Sequence, residues 1–308
     1  MSTTSSSTTN LDHIRDLGVA WMNRGHTLMQ RSDAPSLTDA LAAYDHAIAV
    51  LCRLPANENP SWTNSLGAAL MNRGQLLHRL HGVKQAAFAL GTFTEAETIL
   101  HPLVPAIENP AAKIENLPSP WPRRNLAGTQ LNRASLLLDL AEYSTAASTT
   151  RHALALTAPY EHTDAVDADL TLKIRRCLCD ALGQLIVEPE TDQNAIATEA
   201  SDLVDDALAL IRHWTARHAA VFAPLALRFF RYGTQLYRLH QPHFLADFIE
   251  ENIFNSGPEF HSIALEAIDS ALTDRPNDQK FLTIGDPASE QLLTRWRELT
   301  SLRSRLVA

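Results

Sequence analysis

Strand-forming signals are nearly missing from this chain. Val and Ile are thinly scattered and no convincing run alternates apolar with polar residues, so a sheet is not expected. Glycine is scarce, at 11 of 308 residues, and aromatics reach only 6%. Ala and Leu, which give up least on entering a helix, are abundant instead. Cysteine is limited to Cys52, Cys177 and Cys179. That odd count makes no disulfide framework and suits a reducing compartment, hence a cytoplasmic location. No apolar run reaches membrane-spanning length. The opening MSTTSSSTTN has neither the cationic start nor the apolar stretch of a secretory signal and reads as a solvated, disordered tail. Basic residues are outnumbered 26 to 35, for a net charge of −9. That excess argues against bulk nucleic-acid binding, where Lys and Arg must neutralise phosphates. Glycine-rich phosphate loops, G-x-S-x-G elbows and H-E-x-x-H pairs are all absent. No enzyme class has positive support, and no cofactor is expected.

What the chain does have is a repeat. AWMNRGHTLM begins at Ala20, ALMNRGQLLH at Ala69 and TQLNRASLLL at Thr129. A second amphipathic segment follows each copy: DALAAYDHAIAVL from Asp39 to Leu51, FTEAETILHPL from Phe93 to Leu103, and YSTAASTTRHALAL from Tyr143 to Leu156. Small residues at helical spacing, Ala40 with Ala47 and Ala146 with Ala153, let two helices approach closely. The distance from the residue after Asn-Arg to the first small residue is 146 − 134 = 12 in the third copy, 40 − 25 = 15 in the first and 96 − 74 = 22 in the second. One regular unit and two with insertions are therefore expected, HGVKQAAFALG being the larger insertion. Thr94 followed by Glu97 reads as a capping box opening a helix. Pro-rich breaks at NENPS, LPSPWP and VEPETDQ mark helix boundaries.

Two weaker pairs follow, Leu170–Gly183 with Glu199–Leu210 and Leu225–Leu239 with Phe244–Phe254. The helical segments Phe260–Leu272 and Ala288–Val307 then serve as a terminal cap. The expected architecture is all-α: a tail over residues 1–12, about five helix-turn-helix pairs over 13–257, and capping helices of the same domain over 258–308.

On these residues, the W/L-M-N-R-G-x-x-L first helix and the A-L-A-A-Y-D-x-A-I-A second helix, the chain resembles the tetratricopeptide-repeat family. The match is close for Ala20–Leu51, interrupted for Ala69–Leu103, good for Thr129–Leu156 and only at the level of pattern from Leu170 to Phe254. Pro102 within the second copy and the missing proline after each repeat depart from the family. The resemblance implies a right-handed superhelix whose first helices line a concave groove, with Asn23, Asn72 and Asn132 facing into it. In similar proteins such asparagines hydrogen-bond the backbone of an extended peptide. Arg175 and Arg231 stand at the aligned places of the weaker units.

An amide offers one acceptor and two donors, so it pairs with any peptide unit whatever its side chain. The alternative is an Asn that bonds a neighbouring helix. Arg24, Arg73 and Arg133, about 100° further round, are expected to pair with second-helix acids such as Asp45 or Glu97. The first-helix windows Leu17–Arg31, Trp62–Leu80, Trp121–Leu138 and Ala219–Leu239 hold ten arginines and no Asp or Glu. Either those arginines make a basic groove for an acidic segment or they neutralise acids inside the protein. These features point to a non-catalytic adaptor that binds a peptide or protein segment. A sensor of small anions, with His81–Gly91 and Leu185–Thr198 as lids, is the alternative. His78-x-x-His81 and His240-x-x-His243 have ligand-like spacing but no further ligands nearby, so no metal is expected. Arg73-x₄-His78 and Arg238-x₄-His243 resemble the pattern of small all-α ribonucleases, a remote third reading.

Overall fold

The computed structural model describes residues 4–55, 58–104, 120–239, 258–273 and 287–307. All regular structure among them is helical. The chain divides into two compact units, Met1–Tyr160 and Glu161–Ala308.

The first unit is three helical hairpins: α1 (Thr4–Arg31) with α2 (Ala34–Leu51), α3 (Pro60–His81) with α4 (Ala86–Leu100), and α5 (Trp121–Asp139) with α6 (Tyr143–Thr157). Each second helix except the last packs on the next hairpin's first helix, and α3 touches both α1 and α5. α2, α4 and α6 make no comparable contacts with one another. Aspartate and asparagine set the starts. Asp33 accepts the Ser36 N–H and Asn59 that of Ser61, with prolines in both first turns. Each hairpin turn is closed by one residue in the left-handed region: Ser32 (φ 63), Gly82 (φ 53) and Ala141 (φ 60). Around Ala141 the Glu142 N–H reaches back to Leu137 O at 2.9 Å, closing the last turn of α5 in a Schellman motif.

Volume exchange between facing positions holds the hairpins together. A Cβ on Gly25 would lie 2.9 Å from the Tyr44 ring, and one on Gly74 2.5 Å from Phe93. One at Gly18 would meet Leu51 at 2.6 Å, and one at Gly67 Leu100 at 2.5 Å. In the third hairpin the equivalents of these glycines are Ala134 and Ala127, and the large residues become Thr150 and Thr157, all of them buried. Where the first helix gains a methyl, the second gives up a ring or an isobutyl group.

Several boundaries differ from the expected ones. A single offset (74 − 25 = 49, 93 − 44 = 49) carries the first hairpin onto the second. The stretch AAFALG is therefore the start of α4, not an insertion, and the His81–Gly91 lid is ordinary turn and helix. Thr94 lies inside α4, where its hydroxyl bonds Leu90 O at 2.9 Å, so it caps nothing. Pro102 falls in a short 3₁₀ turn beyond the end of α4. Helix α1 begins at Thr4 rather than after residue 12, and its Leu11 and Ile14 pack against the apolar cluster of Ala47, Leu51 and Trp62.

The second unit contains α7 (Ala165–Leu185), α8 (Gln193–Phe222), α9 (Ala226–Leu239), α10 (Pro258–Thr273) and α11 (Pro287–Val307). Asp164 caps α7 through the Val166 and Asp167 N–H groups. Helix α8 is kinked at His218 (φ −139, ψ 49). The proposed second lid, Leu185–Thr198, is a short connection with the first residues of α8. Among the described residues the packing partners of α9 include α8, α10 and α11. The expected helix Phe244–Phe254 lies outside the described residues. Cys177 and Cys179 are buried and Cys52 is exposed, all as free thiols.

Candidate functional site

The three Asn-Arg copies sit at equivalent places on α1, α3 and α5, the layer of helices that touch one another. Their two residues behave differently. Arg73 and Arg133 turn inward between hairpins. Arg73 Nε meets Asp45 Oδ1 at 2.6 Å, and its Nη1 donates to Thr92 Oγ1 at 3.0 Å. Arg133 Nη1 meets Glu97 Oε2 at 2.9 Å. Each thus ties its helix to the second helix of the preceding hairpin. Burial raises the Glu97 carboxyl's pKa above its ordinary value even though Arg133 pulls it down. Arg24 has no preceding hairpin and lies over the Trp21 ring, 5.1 Å from its centroid.

The asparagines are not engaged in this way. Asn23 is exposed, and Asn72 and Asn132 are half-buried. Among the described residues no protein group hydrogen-bonds their side-chain amides. The comparison within the same layer is direct, because Asn125 Nδ2 donates to Asn64 Oδ1 at 3.0 Å and so joins α5 to α3. That amide pair bonds across helices, and the three motif amides do not. Asn64 and Asn125 escaped sequence reasoning because they belong to no repeated motif.

Three other cations of the first-helix windows, Arg79, Arg123 and His78, are also held internally. Arg79 donates to Met29 O at 3.2 Å and Ser32 Oγ at 2.7 Å, stitching α3 to the first hairpin's turn. Arg123 donates to Leu156 O at 3.0 Å and covers the Tyr160 ring at 3.9 Å. His78 Nε2 lies 2.7 Å from Asp139 Oδ2, linking α3 to α5. The Arg73/His78 pair of the ribonuclease pattern therefore has internal partners at both members. His243 of the second such pattern, and the His240/His243 pair, lie outside the described residues. Among the described residues no group of three or more His, Cys, Asp or Glu is placed to hold a metal.

Arg175 requires a correction. Its side chain is only 4% exposed and forms a two-point ion pair with Glu161, at 2.8 and 3.1 Å. Asp206 stands 3.5 Å away, and the Glu161 carbonyl accepts the Trp214 indole N–H at 2.8 Å. A guanidinium so enclosed braces α7 and cannot line an open face. Arg231 is exposed on α9 and pairs with Glu266 of α10 at 2.9 Å.

No protein-family model matches the chain, and no curated protein matches it. A solved structure, that of BtubC (BKLC) from P. vanneervenii, aligns with 88% of this chain and 92% of its own at 14% identity. The TM-score of 0.46 is too low to carry conclusions. Among the described residues no helix is long and apolar enough to cross a membrane.

Proposed function

We propose that the chain is a non-catalytic adaptor of tetratricopeptide-like construction, whose first-helix face binds an extended segment of a partner protein. One observation carries this: three equivalent amides, Asn23, Asn72 and Asn132, have no internal partner, while Arg73 and Arg133 beside two of them are tied to the preceding hairpin. Half-buried amides without partners lose hydration and gain nothing from it unless something else bonds them.

The packing suits the same role. A stack whose first helices touch while its second helices stand apart bends toward the first helices, which then line its hollow side. Packed helices lie about 8–10 Å apart, and an extended chain advances about 3.3 Å per residue. Neighbouring amides thus meet backbone groups about three residues apart, and a segment of roughly seven residues spans all three. Readout through backbone groups makes affinity depend weakly on the partner's side-chain charge. With Arg73, Arg79 and Arg133 engaged inside the unit, the partner's recognition rests on extended conformation more than on acidity. Three free cysteines suit a reducing compartment, which supports a cytoplasmic adaptor.

Affinity purification from cells, followed by calorimetry with overlapping peptides of the recovered protein, tests this reading. Asn72→Ala is expected to weaken the binding peptide at least fivefold with no change in Tm and little salt dependence. An unaltered affinity would remove the amides from the site.

A further inference from the structure

The second unit carries a cleft that the asparagine face does not involve. Leu172, Lys173 and Arg176 of α7 border it on one side, and Arg228 and Phe229 of α9 on the other, with Pro224 and Leu225 at its end. Leu172 and Phe229 are each 2% exposed and form an apolar floor. The three cations are exposed and stand round it.

Two of those cations are balanced. Lys173 Nζ lies 2.5 Å from Asp169 Oδ2 one turn away. Arg228 Nη2 lies 3.1 Å from Asp180 Oδ1, which also accepts the Tyr232 hydroxyl. Arg176 has no acidic partner among the described residues. Three cations against two carboxylates leave the rim with a single positive charge, centred on a guanidinium. The volume is about 200 Å³, below the roughly 300–1,000 Å³ of sites for drug-sized ligands. It takes one apolar side chain or a short acyl chain.

We propose that this cleft binds a carboxylate bearing one short apolar tail. The tail lies on Leu172, Leu225 and Phe229, and the carboxylate meets the Arg176 guanidinium, whose planar fork donates two parallel N–H groups to it. A free small acid and the C-terminal residue of a peptide present the same chemistry. The site is independent of the asparagine face, being built entirely from the other unit.

The test uses the full chain and saturation-transfer NMR with phenylpropionate, its uncharged amide, and a Gly-Gly-Gly-Phe peptide with a free or an amidated C-terminus. The free acids should bind at least tenfold more tightly than their amides. Arg176→Ala should abolish that preference without altering Tm, Arg176→Lys should restore part of it, and Leu225→Gln should weaken acids and amides alike. Binding of phenylpropionate identifies free acids as the source, and binding of the free-terminus peptide alone identifies chain ends. Equal binding of acid and amide, no binding of any probe at millimolar concentration, or an undiminished preference in Arg176→Ala overturns the proposal.

Discussion

Gly74→Ala separates two effects that act in opposite directions. In an open helical position the exchange stabilises by about 1 kcal/mol, because alanine loses less backbone freedom on folding. Gly74 is not open. A methyl there would stand 2.5 Å from Phe93 Cε1 and 2.8 Å from Cδ1. The ring is fully buried and enclosed by Leu77, Ala89 and, from α5, Leu136. Making room displaces the next hairpin, and overpacking of this kind costs about 1–3 kcal/mol. Gly91 of α4 supplies the control, since a Cβ there meets nothing within 4 Å. Gly91→Ala should gain about 0.5–1 kcal/mol, and Gly74→Ala should fall below it by about 1–3 kcal/mol. Urea midpoints at unchanged m-value read the difference. The third hairpin suggests the rescue, because there alanine faces threonine. In a Phe93→Thr background, itself about 3 kcal/mol less stable, Gly74→Ala should become stabilising. A Gly74→Ala gain equal to that of Gly91→Ala, or a penalty that persists beside Thr at position 93, would refute the volume-exchange account.

Three further outcomes are expected. Arg175→Ala leaves Glu161 buried without its cation and should cost about 3–5 kcal/mol in urea unfolding, whereas Arg175→Met with Glu161→Leu should recover most of that loss. Ala141→Gly relieves a left-handed φ of 60° and should raise stability by about 1 kcal/mol, readable as a rise in Tm. Glu97 titrates above its unfolded pKa, so folding binds a proton more readily at that site. Wild type should therefore gain stability relative to Glu97→Gln as pH falls from 7 toward the ordinary glutamate range, and a relative loss would reverse the sign assigned to its burial.

The sequence made the three hairpins of the first unit legible, because Asn-Arg recurs in one apolar frame and prolines stand at the helix starts. That Arg73 and Arg133 pair with second-helix acids was also readable, whereas Arg24, expected to do the same, has no preceding hairpin and lies over Trp21. The start of α4 was not. Gly82 and Gly91 punctuate that stretch, and Thr94 with Glu97 imitates a capping box, so local signals outweighed the long-range match of Phe93 to Tyr44. The 49-residue offset that pairs each glycine with its large partner was the signal that would have corrected it. Arg175 was misplaced for a different reason. Its partner Glu161 lies in the segment before α7, where no helical periodicity operates, and alignment to an asparagine says nothing about burial. The cleft beside Arg176 was invisible for the same cause, since α7 and α9 are far apart in sequence and only packing brings Leu172 and Phe229 to one floor.

The adaptor reading is tested most directly by panning a random dodecapeptide library against the wild-type chain and against the Asn23→Ala, Asn72→Ala, Asn132→Ala triple variant. Each amide's two neutral hydrogen bonds are worth about 1–3 kcal/mol, so losing all three should weaken enriched peptides at least about a hundredfold. The account predicts peptides that bind the wild type, tolerate changes of side-chain charge, and fail on a triple variant of unchanged Tm. Peptides that bind both proteins equally would contradict it.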